Sequence, residues 1–259
     1  MMLIKICIHV DLFTVRNNMK KIIITGCPRT GSTALVYLLS SSPNVLVTNE
    51  LATFHNREEE FNKSISDPFV VNENKKFLDN KPWSIKQIIN YKNEDYTDNK
   101  FKFFGDKRPD YCINFAKMEH LIDHHQDAYF IFTYRNPCAT AWSFKKRTIV
   151  EPDPNADWYA KDVEQACYKM LIYTNNWLST LYPRVKNKLI IDYDNYINNQ
   201  NGLVNKLEIF LGDKLNIQNA EQTYRHQSPF EYKQKLNQWE QRLITNTFSI
   251  MQSQIDKLK

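Results

Sequence analysis

The residue types best suited to chemistry lie between Gly26 and Thr33, in the stretch Gly26-Cys27-Pro28-Arg29-Thr30-Gly31-Ser32-Thr33. It follows a run of β-branched residues and precedes an apolar stretch, so it reads as a turn between a strand and a helix. Such a turn presents backbone N–H groups at the positive end of the helix dipole, which attracts anions. Gly26 and Gly31 permit tight backbone geometry, Ser32 and Thr33 add hydroxyl donors, and Arg29 adds a permanently charged planar fork suited to phosphate or sulfate oxygens. The spacing is that of the nucleotide loop G-x-x-x-x-G-K-[ST], except that Ser32 stands where the lysine belongs. In that loop the lysine spans the β- and γ-phosphates while the hydroxyl residue binds Mg²⁺. Without the lysine a triphosphate loses a major counter-charge, so this loop suits a smaller anionic group that needs no metal. The plain alternative is a strand-turn-helix link that happens to contain Gly and Pro. It leaves the joint occurrence of Arg, Gly, Ser and Thr at the turn unexplained.

Elements of regular structure must hold this loop. Lys21–Thr25 reads as a strand buried on both faces, and "STALVYLLSS" as a helix ending before Pro43. "NVLVTNE", "FKFFGDKRP", "AYFIFTYR" and "NKLIIDYDNYI" supply four further strands. Between them lie an amphipathic helix in "NFAKMEHLIDHH", a helix opening at Pro137 and a long helix over Ala160–Leu181. "GLVNKLEIFLG" is a helix with Gly212 as its C-cap, and a C-terminal helix closes the chain. Strands alternating with helices imply an α/β protein, a three-layer α/β/α arrangement around a central, mostly parallel sheet. Ligands in such folds sit at the carboxyl ends of the strands. The opening loop, "GDKRP" and "YRNP" each follow a strand directly, so all three are expected on one edge. Residues 53–100 are polar and rich in Asn and Lys, and are expected as loops and short helices over that edge.

Composition agrees with a globular chain: 259 residues, 42% hydrophobic and 24% charged. The net charge of +5 suits an anionic ligand, but Lys and Arg are spread along the chain, which counts against a nucleic-acid partner. The five cysteines are widely separated and lack C-x-x-C spacing, so neither a zinc site nor a disulfide framework is expected. They read as free thiols in a reducing compartment. Lys5, His9, Asp11 and Arg16 interrupt the N-terminal apolar residues, which excludes a membrane span there, and no small-residue cleavage site follows. Met19 directly precedes the first strand. Residues 1–18 are therefore expected to be an extension, disordered or not native, before a single domain over residues 19–259.

At this point the sequence resembles the sulfotransferases that use 3′-phosphoadenosine 5′-phosphosulfate (PAPS). Pro28-Arg29-Thr30-Gly31-Ser32-Thr33 is similar to their 5′-phosphosulfate loop, P-R-S-G-T-T or P-K-S-G-T-T. Arg135-Asn136-Pro137, with Ser143 eight residues beyond Arg135, is similar to their 3′-phosphate motif. The resemblance implies a P-loop-like sulfotransferase fold, with Arg29, Thr30, Gly31, Ser32 and Thr33 at the phosphosulfate and Arg135 and Ser143 at the 3′-phosphate. A guanidinium fork at a strand end and a hydroxyl in the next helix can hold one phosphate from two sides. "IIDYDNYI" and "LVNKLEIFLG" resemble the family's Y-E-D-L strand and its helix ending F-L-G. That places Tyr193 against the adenine, with a packed core tyrosine as an equal alternative. "SPFEYKQKLNQW" resembles the closing S-P-F-x-R-K-G loop, which makes Lys233 a further 3′-phosphate contact. Tyr232 and Gln234 replace the Arg and Gly there, and a solvated surface lysine is the alternative. The resemblance runs in order from about residue 21 to 240.

Sulfuryl transfer needs an in-line acceptor, a base, and positive charge on the transferring and leaving oxygens. The "K-T-H" histidine of the cytosolic enzymes has no counterpart in "GDKRPDY". Glu50, 21 positions after Arg29, instead matches the glutamate base of the tyrosylprotein and heparan sulfate types. Lys107 in "DKRPDY" matches the lysine of the heparan type's "E-K-T-P-x-Y", so with Arg29 it is assigned to the bridging oxygen. Asp106 or Arg108 would orient it or contact the acceptor. His55, His124 and His125 read as exposed or partner-satisfied, the last two closing a helix. The resemblance implies PAPS as donor and PAP as product, with no metal. It also implies a small-molecule, carbohydrate or peptide acceptor carrying a hydroxyl or amine. Golgi members carry a membrane anchor, so a soluble, cytoplasmic enzyme with no membrane partner is expected. Two rivals are a P-loop-like nucleotide kinase or hydrolase, against which Ser32 counts, and a non-catalytic PAP(S)-binding protein, against which Glu50, Lys107 and Arg29 count.

Overall fold

Three consecutive isoleucines, Ile22, Ile23 and Ile24, are fully buried at the centre of a sheet, because β-branched side chains suit a strand covered on both faces. They belong to β1 (Lys20–Gly26) in the computed structural model, which describes residues 20–50, 102–150, 152–156, 159–196, 199–215, 217 and 235–259. The other strands are β2 (Val45–Asn49), β3 (Phe103–Lys107), β4 (Tyr129–Tyr134) and β5 (Asn187–Asp192). They form a five-stranded sheet in the order β2-β3-β1-β4-β5, every neighbouring pair parallel. The sheet is thus parallel throughout among the described residues. The registers Asn49↔Lys107, Ile24↔Lys107, Gly26↔Thr133 and Tyr134↔Asp192 bring all five strand ends to one edge.

The main helices are α1 (Ser32–Ser40), α2 (Phe115–His124), α3 (Pro137–Val150), α4 (Val163–Asn176), the short α5 (Tyr193–Tyr196), α6 (Gln200–Leu211) and α7 (Gln238–Leu258). Strand alternation sorts the core into two layers. Ile23, Phe130, Phe132 and Ile190 face α2, α3, α4 and α7, while Ile22, Ile24, Ile131 and Ile191 face α1 and α6. This is the expected three-layer α/β/α arrangement. The helix expected over Ala160–Leu181 begins later, at Val163, because the Asp162 side chain accepts from the Gln165 N–H and caps it there. Its last part, Trp177–Leu181, widens into a π turn.

The expectations for residues 1–18 and 53–100, His55 and Lys233 lie outside the described residues. Among the described residues no helix is long and apolar enough to cross a membrane, no group of three or more His, Cys, Asp or Glu is placed to hold a metal, and no cysteine is in a disulfide.

Candidate active site

β1 feeds α1 through backbone conformations that set what the loop can present. Gly26 has φ of 142°, and a Cβ there would lie 2.5 Å from the Thr133 carbonyl oxygen of β4. Gly31, the N-cap of α1, is left-handed at φ 86°, and no side chain caps the helix. An N-cap without a side-chain acceptor leaves the first-turn N–H groups for an outside acceptor. Arg29 is also left-handed, at φ 72°. Thr30 braces the turn from beneath: its hydroxyl lies 2.6 Å from the Cys27 carbonyl oxygen and 2.7 Å from the Thr133 hydroxyl. Its side chain is therefore buried against β4, and the contribution left to it at the loop surface is its backbone.

A cavity of about 490 Å³ opens over this loop at the carboxyl edge of the sheet. It brings together Arg29, Gly31, Ser32, Thr33, Glu50, Lys107, Arg135, Ser143 and Tyr193. Those are all the site residues expected from sequence except the buried Thr30 and the undescribed Lys233. The motifs meet directly, because Arg29 Nε donates to Ser143 Oγ at 3.0 Å. Ser143, expected beside Arg135, is thus hydrogen-bonded to the opening loop. Asn155 and Ala156 also reach the cavity, from the segment after α3.

Arg135 leaves the end of β4 and is 8% exposed. Its Nε donates to Asp194 Oδ1 at 3.3 Å, and its guanidinium carbon sits 5.0 Å from the centre of the Tyr193 ring. That ring presses on the loop: a Cβ at Gly31 would come within 1.9 Å of Tyr193 Cδ2. Gly31 is therefore required by close approach as well as by backbone conformation. The second oxygen of Asp194 accepts from the Asn136 N–H at 2.7 Å. Burial raises the Asp194 carboxyl above its ordinary value, against the opposing pull of the Asn136 N–H and Arg135. Asp194 was not among the site residues read from sequence. Its signal was the acid following Tyr193 in the Y-E-D-L-like stretch.

On the other side of the loop, Lys107 Nζ pairs with Glu50 Oε1 at 2.7 Å. The Lys107 side chain is 4% exposed and that of Glu50 46%, so a buried ammonium reaches a carboxylate open to the cavity. The Glu50 N–H donates to the Lys107 carbonyl at 2.9 Å, which holds Glu50 at a left-handed φ of 62°. Asp106 and Lys107 point to opposite faces. Asp106 is 1% exposed and accepts from the Tyr111 hydroxyl at 2.9 Å, away from the cavity. Of the two residues expected beside Lys107, Arg108 is the one lining the cavity, ion-paired to Asp110 at 3.0 Å. Asp110 pairs in turn with Lys117 at 2.6 Å.

His124 is exposed and His125 is buried at the end of α2, just before β4 begins and so at the sheet edge opposite the cavity. His125 Nδ1 lies 3.3 Å from Lys21 Nζ. Burial, with Lys21 and the neighbouring His120 and His124, pushes the His125 imidazole down to about 3. His124 is thus exposed and His125 has a partner in Lys21, as expected of the pair closing the helix.

One wall of the cavity thus carries Arg29, Arg135, hydroxyl groups and a helix N-terminus, which suit anions. The other carries a carboxylate beside an ammonium, which suits proton removal next to developing negative charge.

Comparison with known proteins bears on the family and the fold. The model of the Sulfotransferase family matches residues 21–217. No curated protein matches the sequence. Among solved structures, a sulfotransferase from Alicyclobacillus acidocaldarius aligns with TM-score 0.55 at 14% identity, covering 92% of this chain and 95% of that one. The sulfotransferase domain of the Synechococcus PCC 7002 olefin synthase gives 0.54 at 16%, covering 89% and 94%. A mouse sulfotransferase complexed with PAP gives 0.53 at 12%, covering 95% and 93%. These structural likenesses show the fold, and the family model carries the assignment: the chain belongs to the sulfotransferase family.

Proposed function

We propose that this member of the sulfotransferase family moves the sulfuryl group of PAPS to a hydroxyl or amine of a small-molecule, carbohydrate or peptide acceptor, releasing PAP. The observation that carries the reading is the convergence on one cavity of the Arg29 loop, the Arg135 strand end and the Glu50–Lys107 pair. The residues present fit the donor. Two guanidinium groups and an uncapped helix N-terminus match an anion at each end of a nucleotide, and the half-buried Tyr193 ring offers a surface for its base.

PAPS supplies, when bound, an activated sulfuryl group whose S–O bond to phosphate breaks as the acceptor's new bond to sulfur forms. In our reading Gly31, Ser32 and Thr33 hold the phosphosulfate through backbone N–H groups and hydroxyls, with Thr30 contributing from the loop backbone. Arg135, with Ser143 linked to Arg29, takes the 3′-phosphate. Lys233 is proposed to add charge there. Glu50 removes the acceptor proton. Lys107 and Arg29 place positive charge where the departing phosphate gains an electron pair. Arg108, Asn155 and Ala156, which also line the cavity, are proposed to contact the acceptor.

Calorimetric titration with PAP tests the reading. Binding at sub-millimolar ligand is expected, and Arg135→Ala should weaken it about tenfold or more, the scale of a lost charge-assisted hydrogen bond. Absence of PAP binding by the unaltered protein would rule the proposal out.

A further inference from the structure

Asp194 is a carboxylate that the structure ties to the strand end carrying Arg135, and both of its oxygens are used there. Oδ1 accepts from Arg135 Nε at 3.3 Å and Oδ2 from the Asn136 backbone N–H at 2.7 Å. The residue before it, Tyr193, lies beneath the Arg135 guanidinium at 5.0 Å and packs on Gly31 of the opening loop. Asp194 itself is held: its own N–H donates to Asp192 Oδ1 at 3.2 Å, and Asp192 is ion-paired to Lys259 at 2.8 Å. The Arg135 and Asp194 side chains are 9% and 15% exposed, so water screens their contact little.

A guanidinium is planar, so one fixed N–H donor and one aromatic face beneath it determine the direction of the whole fork. An arginine at a strand end has four side-chain torsions to lose on binding an anion, and a preset fork loses fewer. The same carboxylate fixes the Asn136 peptide, where β4 passes into α3. We propose that Asp194 is a positioning residue: it presets the Arg135 fork for the 3′-phosphate of the nucleotide and itself makes no contact with the sulfuryl group. This rests on the reading of the cavity as a PAPS site. It also carries an electrostatic cost, since a carboxylate near a phosphate repels it. Preorganisation outweighs that cost only if the anion is held through Arg135.

A double-mutant cycle separates these possibilities. PAP dissociation constants are measured by calorimetry for the unaltered protein, Asp194→Ala, Arg135→Ala and the double variant, with thermal unfolding as a check on folding. Asp194→Ala is expected to weaken PAP about tenfold alone but to change it less than about twofold in the Arg135→Ala background. Asp194→Asn keeps the shape and an acceptor for the Asn136 N–H while removing the charge. It should lose part of the affinity, and it serves the same cycle should the alanine variant not fold. The donor KM should rise, while kcat at saturating donor stays within about twofold. Equal losses in both backgrounds would mean a merely structural role and overturn the inference, as would tighter PAP binding by either variant. If the unaltered protein does not bind PAP, the reading of the site falls and takes this inference with it. Binding by the unaltered protein with additive losses overturns the inference alone.

Discussion

Glu50 is the residue on which the proposed chemistry turns, and its surroundings dictate how to test it. Its carboxylate is the partner of Lys107, whose ammonium is buried, so truncating Glu50 would strand a charge and confuse folding with catalysis. Glu50→Gln keeps the shape and an oxygen acceptor for Lys107 while removing the basicity together with the negative charge. We expect PAP affinity within about twofold of the original and turnover reduced by about a hundredfold or more, the usual scale for a lost general base. Full activity in that variant would show that another group takes the proton. At this scale the sequence went far. The family resemblance nominated Lys107 and Arg135 through their motifs and Glu50 through its offset from Arg29, and all three line the cavity. Motif and offset were not enough for Asp106, which is adjacent to Lys107 yet faces the core and the Tyr111 hydroxyl. Neighbours in a strand point oppositely, and which of two polar residues faces the ligand depends on the strand's rotation in the sheet.

Helix ends were written in short-range chemistry. Asn114 caps α2, Gly212 terminates α6 in a left-handed conformation, and Asn237 and Glu240 form a reciprocal capping box at the start of α7. Glu240 also pairs with Lys145 of α3 at 2.9 Å, so one box both starts α7 and docks it on the layer behind the site. Asn237→Ala should destabilise the protein by about 1 kcal/mol in urea unfolding, with little change in PAP binding. Unchanged stability would show that α7 is held by packing alone. The long-helix expectation missed its start by three residues, because a side-chain cap from Asp162 outweighs the helix-forming tendency of the residues before it. The π turn at Trp177–Leu181 had no local signal, and Trp177 there is buried against Phe132 with ring centres 5.1 Å apart.

At the scale of the whole molecule the parallel sheet divides labour between its edges. The carboxyl edge gathers the charged residues of the site, and the amino edge holds a buried histidine under Lys21. His125 in the folded protein titrates near 3 against an ordinary 6.5, chiefly because burial disfavours its charge. Between those values the unfolded chain binds the proton and the folded one does not. This contribution is therefore whole above about pH 6.5 and is lost progressively as the pH falls toward 3. Unfolding free energies measured from pH 7 down to pH 4 should fall less steeply for His125→Gln than for the unaltered protein. Parallel slopes would show that the histidine does not carry the dependence. Its distance along the fold from the cavity predicts that PAP affinity in the variant is unchanged at neutral pH.

The sequence by itself determined the element types, the alternation that makes a three-layer α/β fold, and an opening loop suited to an anion. Each depends on residues within a few positions of one another, through β-branching, caps and glycine conformations. The tertiary structure alone decided that Lys107 meets Glu50 across 57 residues, that Arg29 meets Ser143 across 114, and that Asp194 meets Arg135 across 59. Those pairings follow from β1 lying between β3 and β4 with β5 beyond, an order fixed by packing both faces of the sheet against helices. Local chemistry can choose a residue for its task, but the strand order decides which other residue it will face.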